Sequence, residues 1–202
     1  RQGVALHAVV VNVPVVGAWR EVLNKGRRAC APERQTLRVA GCGGSAPAKG
    51  NQVNAMDNAT IQNRRLEQTA DGSSTIYLPD LDEHYHSVKG ALTESTHIFI
   101  NCGLRHCRKS DVTVFEVGFG TGLNAALTAL STDNRHIDYH SVERYPLSAD
   151  DAAAYSRTVE APVDGMIRQL NAAAWDAPTA VTPLFTLHKI LGDVATTPLP
   201  EG

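Results

Sequence analysis

Residues 111–124 read DVTVFEVGFGTGLN, with three glycines at alternate positions, Gly118, Gly120 and Gly122, and a carboxylate, Glu116, just ahead of them. Glycines there let a ligand approach the backbone closely, at conformations other residues resist. Backbone N–H groups between a strand end and a helix start can face that ligand. A dinucleotide turn calls for Gly-x-Gly-x-x-Gly, but here Leu123 holds the third glycine's place. Glu116 would repel a pyrophosphate and suits a ligand with a cationic amino-acid end. Two further carboxylates follow. Glu143, 21 positions after Gly122, ends a strand pattern where an acidic residue can take both hydroxyls of a ribose. Asp193 follows the next strand pattern; it either accepts from an adenine amino group or starts a turn.

Val112, Val114 and Val117 with Phe115 make a short apolar, β-branched run, the pattern of a buried parallel strand. LNAALTAL after the glycines is a good helix sequence. Strands are expected at 75–78, 137–142 and 184–191, and helices at 90–102, 148–159 and 163–174. Gly103 suits a helix C-cap, Pro162 and Pro178 read as punctuation, and 80–87 reads as a loop. Strands alternating with helices predict an α/β fold with a doubly wound, mostly parallel sheet. All three carboxylates then fall at strand carboxyl ends, where open sheets of this class bind ligands.

At 202 residues the chain suffices for one ordinary domain, and its net charge of −2 points to neither nucleic acid nor membrane. The charge is unevenly spread. Residues 1–55 hold 8 Lys+Arg against 2 Asp+Glu, and 56–202 hold 11 against 19. Residues 4–18 are apolar but too short to span a bilayer, and the rest of 1–55 has no sustained period. The expectation is that Met56 is the natural start and that 1–55 is a disordered or upstream segment. A basic arm for RNA fits the charge but lacks interleaved aromatics. Cys102, His106 and Cys107 lie close in sequence, and His84, His86 and His97 form a loose group. No spacing demands a metal, so none is expected.

The E-x-G-x-G-x-G pattern resembles the first motif of class I S-adenosylmethionine-dependent methyltransferases. Four stretches sharpen this: residues 71–100, with EHYHS, GALTES and HIFI; VFEVGFGTGLNAALTAL; YHSVERYPL; and LGD at 191–193. Together they resemble the methyltransferases of the MnmC/MnmD family. The resemblance implies a Rossmann-like class I fold with a small N-terminal strand and helix extension (56–110), followed by the first half of the cofactor domain (111–202). It implies S-adenosylmethionine as cofactor, with Glu116, Gly118, Gly120, Thr121, Gly122 and Asn124 at its methionine end. Glu143 goes to the ribose, Asp193 to the adenine, and Tyr85 and Ser87 to a substrate-side loop. The implied substrate is the wobble uridine of tRNA, 5-aminomethyl-2-thiouridine, in the cytoplasm, with an oxidase domain fused or separate as partner.

The family's further strand with an Asp-x-Phe-Ala-Pro type motif has no counterpart before Gly202. The chain is therefore expected to be C-terminally incomplete, to lack the residue that takes the amine's proton, and to leave 112–117 at a sheet edge. Two alternatives stand beside this reading: a methyltransferase of another amine, and a non-catalytic cofactor-binding fragment.

Overall fold

The structure, a computed structural model, describes residues 8–11, 63–80, 82–198 and 200. Its main sheet is built on β5 (Asp111–Val117), whose six residues after Asp111 are all buried. β6 (His136–Glu143) and β8 (Phe185–Leu191) follow it in parallel register, and β7 (Pro178–Thr182) closes the edge antiparallel to β8. On the other side of β5 lies β1 (Ala8–Val11), also parallel, so the order is β1-β5-β6-β8-β7. The expected sheet edge at 112–117 is thus covered by a strand from within 1–55; the rest of that segment lies outside the described residues. A smaller antiparallel sheet joins β2 (Arg65–Gln68), β3 (Ser74–Leu78) and β4 (Glu83–His84).

The described helices all lie against one face of the main sheet. They are α1 (Ala91–Ser95), α2 (Leu123–Leu130), α3 (Ala149–Ser156) and α4 (Val163–Ala172). Val112, Val114, Ile137, Tyr139, Phe185 and Leu187 point to them and meet Leu123, Leu127, Tyr155, Ile167 and Leu170 in one core. That face alternates with the opposite one, where Phe115, Val117 and Val142 form a smaller cluster. α3 starts on a side-chain cap: Ser148 Oγ accepts from the Asp151 N–H at 3.0 Å.

Several expected boundaries move. Residues 90–102 are not one regular helix, because α1 widens into a π-helical stretch at Thr96–Asn101. Gly103 does not cap it in a left-handed conformation, since its φ is −99°. Glycine is needed there because a Cβ would stand 2.6 Å from the Phe99 carbonyl oxygen. The expected loop at 80–87 contains β4, and β2 and β7 arise where no strand was expected.

The DGSS turn turns out to anchor α1. Asp71 accepts from the Ser73 N–H at 3.0 Å, the Thr69 hydroxyl at 2.7 Å and, in α1, the Thr93 N–H at 2.9 Å. Burial pushes its carboxyl up, but hydrogen bonds from Ser73, Thr93 and Thr69 outweigh this and hold it well below the usual carboxylate range. Its contribution is therefore present above pH 4 and lost as pH falls further. Asp71→Ala should cost about 1 kcal/mol in urea denaturation at pH 7, the worth of a lost cap. At pH 2 the difference should shrink; a pH-independent cost would mean that the carboxylate's charge plays no part.

Candidate functional site

The three glycines adopt left-handed conformations between β5 and α2, with φ of 85°, 54° and 81° at Gly118, Gly120 and Gly122. This lets the chain turn sharply at the strand's carboxyl end and start α2 at Leu123. A Cβ at Gly122 would press on the Phe119 ring at 3.0 Å. Gly118 N–H donates to the Val142 carbonyl at 2.8 Å, which ties the turn to β6.

Glu143, at the end of β6, reaches the same turn. One carboxylate oxygen accepts from Gly120 N–H at 3.0 Å and the other from Tyr145 N–H at 2.7 Å. Tyr85 stands nearby. Burial, with the Glu143 charge second, pushes its phenol up to about 12 against the pull of Arg64. Arg64 in turn donates to the carbonyls of Tyr145 and Pro146 and lies 3.4 Å from Asp151, clamping the start of α3 to this corner. Asp193 follows β8 and pairs with Arg144 at 2.7 Å, while its other oxygen accepts from Ala195 N–H. Its turn-forming role is therefore real, and it also stands beside the Glu143 corner through Arg144. Ser87 holds its own turn: its hydroxyl accepts from Lys89 N–H and its N–H donates to Glu94.

Glu116, Thr121 and Asn124 stand differently from the expectation that they face a ligand. All three are buried beneath the turn. Glu116 accepts from Ser141 Oγ at 2.8 Å and Asn124 Nδ2 at 3.2 Å. Burial pushes its carboxyl up to about 8 despite those two hydrogen bonds. Thr121 Oγ1 accepts from Leu123 N–H and lies 3.0 Å from His86 Nε2. Burial lowers His86 to about 4, so the ring is neutral at pH 7 and its Nε2 can accept the Thr121 hydroxyl.

Sequence reasoning passed over a second layer of this support. Strand register sets Glu116, Ser141 and Lys189 side by side across β5, β6 and β8. Lys189, 1 % exposed, donates to the Asn171 carbonyl at 2.9 Å, with its ammonium 4.5 Å from the Trp175 ring centre and 5.3 Å from that of Phe119. Asn171 Nδ2 then donates to the Thr121 carbonyl at 3.0 Å. The available signal was alternation: Phe185, Leu187 and Lys189 share one strand face, so the lysine falls where the pattern asks for an apolar residue. The histidines at 84, 86 and 97 do not converge. His84 meets Glu67 at 2.9 Å, His86 meets Thr121, and His97 lies 3.8 Å from Cys102 Sγ. No helix among the described residues is long and apolar enough to cross a membrane.

The chain is similar over about half its length to proteins named tRNA 5-methylaminomethyl-2-thiouridine biosynthesis bifunctional protein MnmC. It is 36 % identical over 119 residues to the one from Burkholderia thailandensis, a match covering 52 % of this chain and 17 % of that protein. With the one from Burkholderia multivorans it shares 34 % over 137 residues, 61 % of this chain and 20 % of the relative. The matches thus span about a fifth of the length of these relatives. A crystal structure of MnmC2 from Aquifex aeolicus aligns at a TM-score of 0.47 and 22 % identity, over 65 % of this chain and 43 % of that one. No family model matches the chain.

Proposed function

We propose that this chain carries the S-adenosylmethionine-binding part of a methyltransferase acting on the amine of 5-aminomethyl-2-thiouridine at the tRNA wobble position. The observation that carries the reading is the meeting of Glu143 with the glycine turn at adjoining strand ends. A half-buried carboxylate with two acceptor oxygens suits the paired hydroxyls of a ribose. When Glu143 turns to them, Gly120 N–H is released to the ligand. The names of the relatives, which speak of tRNA 5-methylaminomethyl-2-thiouridine biosynthesis and of a bifunctional protein, support a tRNA substrate. An oxidase domain as partner and the cytoplasm as the place of work belong to the same proposal.

In this reading Gly118, Gly120 and Gly122 offer backbone to the methionine end, and Asp193 accepts from the adenine amino group while Arg144 holds it in place. Glu116, Thr121 and Asn124 act from below by fixing the turn's shape. Tyr85, beside Glu143, and Ser87 belong to the substrate side. S-adenosylmethionine supplies the activated methyl group; this chain's part is to bind and orient, since transfer depends on aligning amine, methyl carbon and sulfur.

Titration calorimetry with S-adenosylmethionine tests the assignment. Glu143→Ala should weaken binding by about 1–3 kcal/mol, because ribose hydroxyls are left unpaired. Unchanged affinity would remove Glu143 from the site. Labelled methyl transfer to tRNA bearing 5-aminomethyl-2-thiouridine, but not to small amines, separates the uridine substrate from any other amine.

A further inference from the structure

The sheet face turned away from the described helices carries a cluster that the ligand corner does not use. β6 and β8 run parallel with His140 opposite His188, and Asp138 lies two residues before His140 on the same side of β6. The two imidazoles stack, with ring centres 4.2 Å apart and planes 6° from parallel. Both turn Nε2 to one carboxylate: His140 to Asp138 Oδ2 at 3.1 Å, and His188 to Asp138 Oδ1 at 2.8 Å. One donor atom from each residue lies within 4.8 Å of the other two.

We propose that Asp138, His140 and His188 form a binding site for a divalent transition metal of the zinc type, with three protein ligands and a fourth position open to solvent. The donor set decides the class of ion. Two imidazoles and a carboxylate suit zinc and its neighbours, whereas calcium and magnesium take oxygen ligands. Donors held about 2.1 Å from a tetrahedral ion stand roughly 3.4 Å apart. Each Nε2 already stands beside its own oxygen of the one carboxylate, at 3.1 and 2.8 Å. To close a tetrahedral site the two rings rotate out of their parallel stack, so that both Nε2 lone pairs converge on one ion with an Asp138 oxygen. The backbones need not move, since β6 and β8 each have a hydrogen-bonded strand on both sides. Access is open as well: the Asp138 side chain is 50 % exposed, while those of His140 and His188 are 15 % and 27 % exposed. The ion is thus gripped from the sheet and reached from solvent. Each imidazole binding through Nε2 carries its proton on Nδ1.

Titrating the metal-free 202-residue chain with Zn2+ should show one equivalent bound. His140→Ala combined with His188→Ala should lower that affinity at least about 100-fold, beyond what loss of a supporting group costs. His84→Ala and His106→Ala should leave it unchanged. Because the double variant could fold poorly, NMR on the unaltered chain gives an independent reading. Zn2+ should shift the imidazole signals of His140 and His188 and leave those of His97 and His106 in place. Absence of stoichiometric binding, undiminished affinity in a folded double variant, or shifts centred on His97 would each overturn the proposal.

Discussion

Glu116→Gln should make the protein more stable than the unaltered chain at pH 9 by about 5 kcal/mol, with little difference at pH 4. Glu116 is fully buried, and its carboxyl is pushed up to about 8. Between its ordinary pKa near 4.5 and that value, the folded state keeps a proton that the unfolded chain has released. Stability contributed by this group is therefore complete below pH 4.5 and falls as pH rises through the window to 8. Glutamine cannot ionise and removes the slope. Its carbonyl can accept the Ser141 hydroxyl, and a flip of the Asn124 amide, whose Nδ2 now faces Glu116, brings Oδ1, buried without a partner, to the glutamine NH2. His86 contributes the opposite slope from pH 4 to 6.5, because burial keeps it neutral while the unfolded ring is protonated. The difference between variant and unaltered chain, rather than either profile alone, isolates Glu116. Urea denaturation at pH 4, 6.5 and 9 measures it; a constant difference across that range would show that Glu116 is ionised in the folded protein.

The same result bears on the cofactor reading. If the cationic end of S-adenosylmethionine draws charge onto Glu116, binding at pH 7 releases a proton, and the calorimetric heat depends on the buffer. If Glu116 only braces Asn124 and the turn, the heat is the same in all buffers.

What the sequence made legible follows from how local each signal is. The glycine turn, β5 and α2 were readable because an apolar run, three glycines and a helix-forming stretch succeed one another within twenty residues. Glu143 was readable from its interval, and the structure sets it against Gly120. β7 was hidden by Pro178, which reads as a breaker; the proline is tolerated because β7 is an edge strand, where a missing N–H leaves no neighbour unpaired. β4 was hidden in a polar run because it is two residues long and held by pairing with β3. The support beneath the turn was illegible for another reason. Ser141 and Lys189 matter through their register with Glu116, and register between β5, β6 and β8 is a property of the assembled sheet. Asp138 and His140 likewise read as ordinary polar positions until His188 is brought opposite.

Lys189 yields the other large expected effect, and its sign depends on what replaces it. Lys189→Ala should cost roughly 3 kcal/mol at pH 7, as buried long-chain truncations do. It removes a buried side chain whose ammonium lies over the Trp175 and Phe119 rings, and it leaves the Asn171 carbonyl without its donor. Lys189→Met keeps the stem's volume and removes a charge whose burial is unfavourable, so it should cost under about 1.5 kcal/mol. Burial lowers the Lys189 amine from its ordinary value to about 8. Between pH 8 and 10.5 the unfolded chain holds a proton that the folded chain has lost, so the unaltered protein gains stability as pH rises through that range. Both variants lose this gain, which makes methionine look worse at pH 10 than at pH 7. Asn171 also grips the Thr121 carbonyl, so the alanine variant should loosen the glycine turn and weaken S-adenosylmethionine binding more than the methionine variant does. Denaturation at pH 7 and 10, paired with cofactor titration of both variants, separates packing from charge. Equal losses for alanine and methionine at pH 7 would mean that the ammonium's own contacts, and not the stem, hold this layer together.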